Sequence, residues 1–331
     1  VKYTQLGERG PEVSTIGFGA WAIGGQNWGK TDDNISIQAL NEAIDQGVTL
    51  IDTADVYGHG HSEELISRVI KERGKKNIII ATKAGNDFYN ATADDDKGYG
   101  AIKQTYTKDY LIFAAEKSLE RLNLEMLDIL QLHSPDLEQL EKDEPWMALE
   151  KLKREGKIKH AGLSIQSFKE NEQAHLLDLH HDILDCIQVR YNLLEREAEE
   201  KLFPKAMKYG IGVIVRIPLL FGFLTGKFIA HSTFGEDDHR KMNLSADKLQ
   251  VYFKKLENYQ PLYDYYRNQS KAQVSLRFCI SHPACQTAIP GAKTDLQVRE
   301  NSASSDLGPI PQNEIESFVQ KVDRKTERLE N

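Results

Sequence analysis

The feature that most constrains this chain is a rhythm of short apolar runs, each followed by a stretch of helical period. The runs cover residues 16–21, 48–51, 77–82, 126–132, 158–164, 186–189, 212–216 and 287–289. Six of them carry a polar or charged residue at or beside their C-terminal end, in order Asp52, Lys83, His133, Ser164, Gln188 and Arg216. Near-continuous apolar runs of this length describe strands buried on both faces. Between them, residues such as Leu111, Ala115, Leu119 and Leu122 recur at helical spacing. Helices are expected over 32–46, 62–72, 107–121, 145–155, 169–180 and 195–209, with others in the excursion after strand seven and from 294 onward. Eight strand–helix units with nothing like a linker between them predict a parallel (β/α)8 TIM barrel, one domain over residues 1–331. Gly7, Gly10 and Pro11 between short alternating runs predict an N-terminal β-hairpin closing one end. Extra C-terminal helices and a polar tail follow the last strand.

In a barrel of this kind the reactive groups sit on the loops at the C-terminal ends of the strands, which is where the unusual residues of this chain fall. The stretch Asp52-Thr53-Ala54-Asp55-Val56-Tyr57-Gly58-His59-Gly60-His61-Ser62-Glu63-Glu64 joins a buried strand to a helix start with acidic residues in its first turn. Gly17-x-Gly19 does not make a dinucleotide fingerprint, because the third glycine is misplaced and no helix follows directly.

Composition narrows the partners. A formal net charge of -8 argues against nucleic acid or a membrane surface and toward a small molecule. Residues 211–226, the longest apolar stretch, are interrupted by Arg216 and Pro218 and are too short to span a bilayer. No signal-like segment precedes the fold, and Cys186, Cys279 and Cys285 are too few for a disulfide framework, so a reducing cytoplasm is expected. The charge run Asp94-Asp95-Asp96 in the loop over 85–105 reads as a solvated surface.

Asp52, Tyr57, Lys83 and His133 come from three successive strand ends, so a barrel would aim them into one mouth. A phenol with a pKa of about 10 is a poor proton donor near neutrality. A lysine beside it lowers that value, and an aspartate behind the lysine keeps it charged. Tyr57 is then a general acid, and His133 a donor to a carbonyl oxygen. Singly, each residue has a bland reading: Asp52 and Lys83 a structural ion pair, Tyr57 a packed loop residue, His133 a satisfied core histidine. The pair His59 and His61 would suit a metal-dependent hydrolase, but further ligands at later strand ends are missing.

Gly47-Val48-Thr49-Leu50-Ile51-Asp52-Thr53-Ala54-Asp55-Val56-Tyr57-Gly58 closely resembles the signature of the aldo-keto reductases. Ala81-Thr82-Lys83 and Leu130-Gln131-Leu132-His133 match its next two segments. The likeness continues through Gln188 to Arg196, Pro218-Leu219 with Gly226-Lys227, and Ile289-Pro290-Gly291-Ala292-Lys293. It is strongest toward the bacterial branch related to potassium-channel β subunits, including general-stress members. The resemblance implies NADPH-dependent reduction of aldehydes or ketones to alcohols, with Asp52, Tyr57, Lys83 and His133 catalytic and no metal. It places Ala20, Trp21, Asp52, Ser164 and Gln188 around the nicotinamide, and Lys227 and Arg240 on phosphate. Arg216, Pro218, Leu219 and Gly222 border the same cleft, while Gly291, Lys293, Gln297, Glu300 and Asn301 embrace the adenosine half. Lys293 is the expected 2'-phosphate contact. Two residues depart from the family pattern: Ile165 stands where asparagine is usual, and Arg216 where an aromatic ring stacks on the nicotinamide. The channel-related branch supplies the alternative, a cofactor-binding redox sensor or interaction module with little turnover. No obligate protein partner is expected.

Overall fold

A computed structural model describes residues 1–25, 28, 31–92, 102–320 and 322. The Asp94 to Asp96 charge run and the last residues of the tail lie outside the described residues.

Two short strands, β1 (Tyr3–Gln5) and β2 (Glu12–Ser14), form the antiparallel hairpin. Eight parallel strands follow in sequence order: β3 (Phe18–Gly19), β4 (Leu50–Asp52), β5 (Ile79–Ala84), β6 (Leu127–His133), β7 (Ile158–Ser164), β8 (Cys186–Arg190), β9 (Gly212–Arg216) and β10 (Thr287–Ala288). Parallel bridges Ile16↔Ala288 and Gly19↔Gly291 join the first strand to the last and close the ring. The fold is the (β/α)8 barrel that the alternation predicts.

Inside the ring, Leu50, Ala81, Ile129, Cys186, Ile214 and Ile289 pack with Leu6 and Val13 of the hairpin. The hairpin therefore plugs the end opposite the strand C-termini with apolar side chains, and the barrel is a filled core. A larger shell, including Leu40, Leu65, Leu111, Leu149, Leu176 and Phe203, lies between strands and helices.

The helix Asp33–Asp45 is capped by the Asp32 carboxylate, which accepts from the amides of Asn34 and Ile35. His61–Arg73 carries Glu63 and Glu64 in its first turn and ends at Gly74. Two expected helices are broken. Residues 169–180 form Glu170–Gln173 and Leu176–His180, and residues 195–209 form a short turn, Glu197–Glu199, and then Leu202–Lys208. Apolar periodicity records which side faces the core and does not mark where a helix is interrupted. The first strand is also shorter than its apolar run, because Ala20–Gly24 winds into a 3-10 turn. Between β9 and β10 the excursion holds Arg240–Asn243, Ala246–Glu257, Gln260–Tyr265 and Lys271–Cys279; Asp295–Leu307 and Gln312–Ile315 follow the last strand.

Candidate active site

One cavity of about 890 Å³ opens at the C-terminal ends of the strands. Its walls include Trp21, Asp52, Tyr57, His133, Ser164, Gln188 and Arg216 toward one part, with Pro218, Leu219, Gly222, Lys227, Arg240, Gly291, Lys293, Gln297, Glu300 and Asn301 also in the lining. Lys83 is only 1% exposed and stands behind Tyr57. Ala20 does not line the cavity. Its side chain packs in the apolar shell and its carbonyl accepts from Ser62 Oγ, because successive residues of the 3-10 turn point in different directions, outward to the cleft at Trp21 and inward at Ala20.

Tyr57 is held by the turn that follows β4. Gly58 has a φ of +62°, and a Cβ there would lie 2.2 Å from the Gly24 carbonyl oxygen, so only glycine lets the turn close against the 3-10 segment. Lys83 Nζ donates to Asp52 Oδ2 at 2.7 Å, to the Thr53 carbonyl at 2.7 Å and to the Tyr57 hydroxyl at 3.4 Å. The rings of Tyr57 and His133 meet edge to face at 5.8 Å.

Burial works against the charge of Lys83, but Asp52 and Tyr57 outweigh it and its pKa is raised. His133 is held well below the usual imidazole value by burial and then by the charges of Lys83 and Arg216, so it is neutral. Its Nδ1 is buried without a hydrogen-bond partner. Tyr57 differs from the sequence expectation. Lys83 does pull its pKa down, but burial is the larger effect and leaves it raised above the ordinary phenol value.

The two departures from the family pattern are bonded to each other. Arg216 Nη2 donates to the Ile165 carbonyl and to Ser167 Oγ, each at 2.9 Å. Sequence reasoning missed Trp28, Asn86, Gln104, Ser134 and Ser167, which share the lining. It also missed Gln131, which donates to Asp52 Oδ1 at 3.3 Å. Most of these lie on loops without periodicity; only the neighbours of the strand ends, Gln131 and Ser134, were marked by position.

Lys227, Arg240 and Lys293 bring three cations to one cavity. Lys227 and Lys293 both have lowered pKa values, first through burial and next through the charge of Arg240. Arg240 is fixed by both carboxylate oxygens of Asp238 and packs 5.4 Å from the Trp28 ring. Lys293 Nζ donates to the Trp28 carbonyl at 2.6 Å, and Gln297 Oε1 accepts from the Lys293 amide at 2.8 Å. At Gly222 a Cβ would lie 3.1 Å from Lys227 Nζ, so the missing side chain keeps that ammonium accessible. Cations crowded enough to disfavour one another's charge suit a polyanion, and the cavity has the volume of a cofactor site. The residues present therefore fit a phosphate-bearing dinucleotide. His61 instead pairs with Asp33 at 2.8 Å and His59 stacks on Phe88, and among the described residues no group of His, Cys, Asp and Glu could hold a metal ion.

Residues 15–323 match the Aldo/keto reductase family, and the chain belongs to it. It is an oxidoreductase of carbonyl compounds, in a family that works with nicotinamide cofactors. The chain is 34% identical to aldo-keto reductase YhdN of Bacillus subtilis (strain 168) over 297 residues, covering 88% of this chain and 85% of that one. It is 27% identical over 343 residues to a probable voltage-gated potassium channel subunit beta of Arabidopsis thaliana, covering 99% of each. The structure of glycerol dehydrogenase AKR11B4 from Gluconobacter oxydans superposes with a TM-score of 0.80 at 29% identity, covering 97% of this chain and 94% of that one.

Proposed function

We propose that this protein reduces aldehydes or ketones to alcohols with NADPH, using Tyr57 as the general acid. One observation carries the reading: the line Asp52, Lys83, Tyr57 ends in the same cavity that holds Lys227, Arg240 and Lys293. When bound, the cofactor supplies the hydride that adds to the carbonyl carbon. Tyr57 gives its hydroxyl proton to the carbonyl oxygen, and Lys83 stabilises the phenolate left behind. Asp52 keeps Lys83 charged and in place. His133, neutral, donates a hydrogen bond to the carbonyl oxygen as negative charge grows there.

Lys227 and Arg240 would meet phosphate, and Lys293 the 2'-phosphate, which favours NADPH over NADH. Ser164 and Gln188 would hold the carboxamide beside Trp21, and Gln297, Glu300 and Asn301 share one face of the helix Asp295–Leu307 for the adenosine half. Residues 1–331 act as one domain around this site. Three buried, free cysteines suit a reducing cytoplasm.

The test is NADPH consumption by the purified protein over a panel of simple aldehydes, with Tyr57→Phe as control. Turnover by the wild type and its loss in Tyr57→Phe, with cofactor binding retained, is the expected outcome. Tight cofactor binding with negligible turnover on the whole panel would overturn the enzyme reading in favour of a redox sensor.

A further inference from the structure

Gln131 lies on β6, fully buried and outside the cavity lining, yet it touches two residues of the site. Its Nε2 donates to Asp52 Oδ1 at 3.3 Å, and its Oε1 accepts from Gln188 Nε2 at 3.2 Å. Gln188 Nε2 also donates to Asp52 Oδ1, at 2.6 Å, so the three side chains close a triangle. The carboxylate is thereby divided: Oδ1 takes two amides and Oδ2 takes Lys83.

The triangle fixes the sense of the Gln188 amide. A side-chain amide has two donor hydrogens on nitrogen and an acceptor oxygen. Both donor directions of Gln188 are spent on Asp52 and Gln131, which leaves Oε1 as the atom it presents to the cavity that it lines. Turned over, that oxygen would face the Asp52 carboxylate and the Gln131 oxygen together. A second observation points to the same place. Gly162 pairs with Gln131 across β6 and β7, and a Cβ at Gly162 would lie 2.8 Å from Gln131 Cγ. The neighbouring strand leaves room for this side chain.

We propose that Gln131 is a positioning residue that locks Gln188 as a hydrogen-bond acceptor toward the cofactor. The cavity then selects a ring substituent bearing an N–H donor, the carboxamide amine, over one that offers a carbonyl alone. This rests on the cavity being the nicotinamide site.

The experiment measures binding without turnover. Dissociation constants of NADP+ and of its 3-acetylpyridine analogue, which keeps the carbonyl and lacks the N–H, are read from tryptophan fluorescence of the full chain. The wild type is expected to prefer NADP+ by about ten-fold, since the analogue leaves a buried acceptor unpaired. Gln131→Leu is expected to reduce that preference to about three-fold or less. Gly162→Ala, whose Cβ would lie 2.8 Å from Gln131 Cγ and 3.0 Å from Cys186 Sγ and which removes no polar atom, should move the ratio the same way. Folded variants that keep the wild-type ratio, or a wild type that binds both equally, overturn the assignment. If Gln131→Leu does not fold, the Gly162→Ala ratio decides. A wild type that binds neither dinucleotide overturns the cofactor reading and this assignment with it.

Discussion

The ammonium of Lys83 stands 3.4 Å from the phenol oxygen of Tyr57, the longest of its three hydrogen bonds. Its closer partners are Asp52 and the Thr53 carbonyl, so its charge is shared before it reaches Tyr57, and burial dominates the phenol. The Tyr57 hydroxyl is consequently protonated near neutrality, and a phenolate there would be favoured by the lysine.

A pH profile checks this. With the Tyr57 pKa raised above 10.0, the hydroxyl stays protonated throughout the neutral range. The kcat for reduction should therefore be flat from about pH 6 to about pH 9, and fall only in the more alkaline range. Lys83→Met should lower kcat by roughly 10²-fold or more. A fall in wild-type kcat centred near pH 7 would contradict the assignment of the acid.

Asp55 yields a stability prediction. Its carboxylate is fully buried, and burial followed by the Glu63 charge pushes its pKa well above 3.8, against the opposing pull of Arg121, the Val56 backbone amide and Lys83. The folded state therefore holds this proton more tightly than the unfolded state does. The resulting contribution to stability is fully present below the unfolded pKa and is lost as pH rises through the folded pKa. Asp55→Asn, isosteric and always neutral, should match the wild type near about pH 4 and be more stable at about pH 8. Urea midpoints at the two pH values measure it; an equal difference at both would refute the account.

On the proposed function, Lys293 is the residue that should separate the two nicotinamide dinucleotides. Its ammonium is already bonded to the Trp28 carbonyl, a neutral partner that a phosphate would outcompete. Lys293→Met should weaken NADPH by roughly ten-fold to 100-fold, the range of a lost charge-assisted hydrogen bond, and leave NADH nearly unchanged. Equal losses for both cofactors would remove Lys293 from 2'-phosphate recognition.

On the proposed cofactor placement Arg216 brings a positive charge to the nicotinamide, and its hydrogen bonds to the Ile165 carbonyl and Ser167 fix its position. Such a charge disfavours the cationic oxidised ring relative to the reduced one. Arg216→Tyr should tighten NADP+ relative to NADPH, by several-fold at an effective interior dielectric of about 20. An unchanged affinity ratio would sink this idea.

Much of the frame was legible beforehand because a buried strand must be apolar along its length and a barrel repeats that demand eight times. The bounds of β7 (Ile158–Ser164) and β9 (Gly212–Arg216) follow from the apolar runs alone. The helix breaks at 169–180 and 195–209 were hidden, since apolar spacing continues in phase across a short interruption. Trp28, Asn86, Gln104 and Ser167 were hidden because nothing local in a loop marks which cleft it will face.

Sequence by itself determined the eight-fold alternation, the family, and the order in which Asp52, Tyr57, Lys83 and His133 leave their strands. Only the tertiary structure decided which way the ionisation of Tyr57, Lys83 and His133 is pushed, which atom of the Gln188 amide is left for the cavity, and that Ala20 turns inward while Trp21 does not. The physical reason is range: pattern is carried by neighbours along the chain, whereas desolvation and hydrogen-bond sense depend on atoms that meet only after the ring has closed.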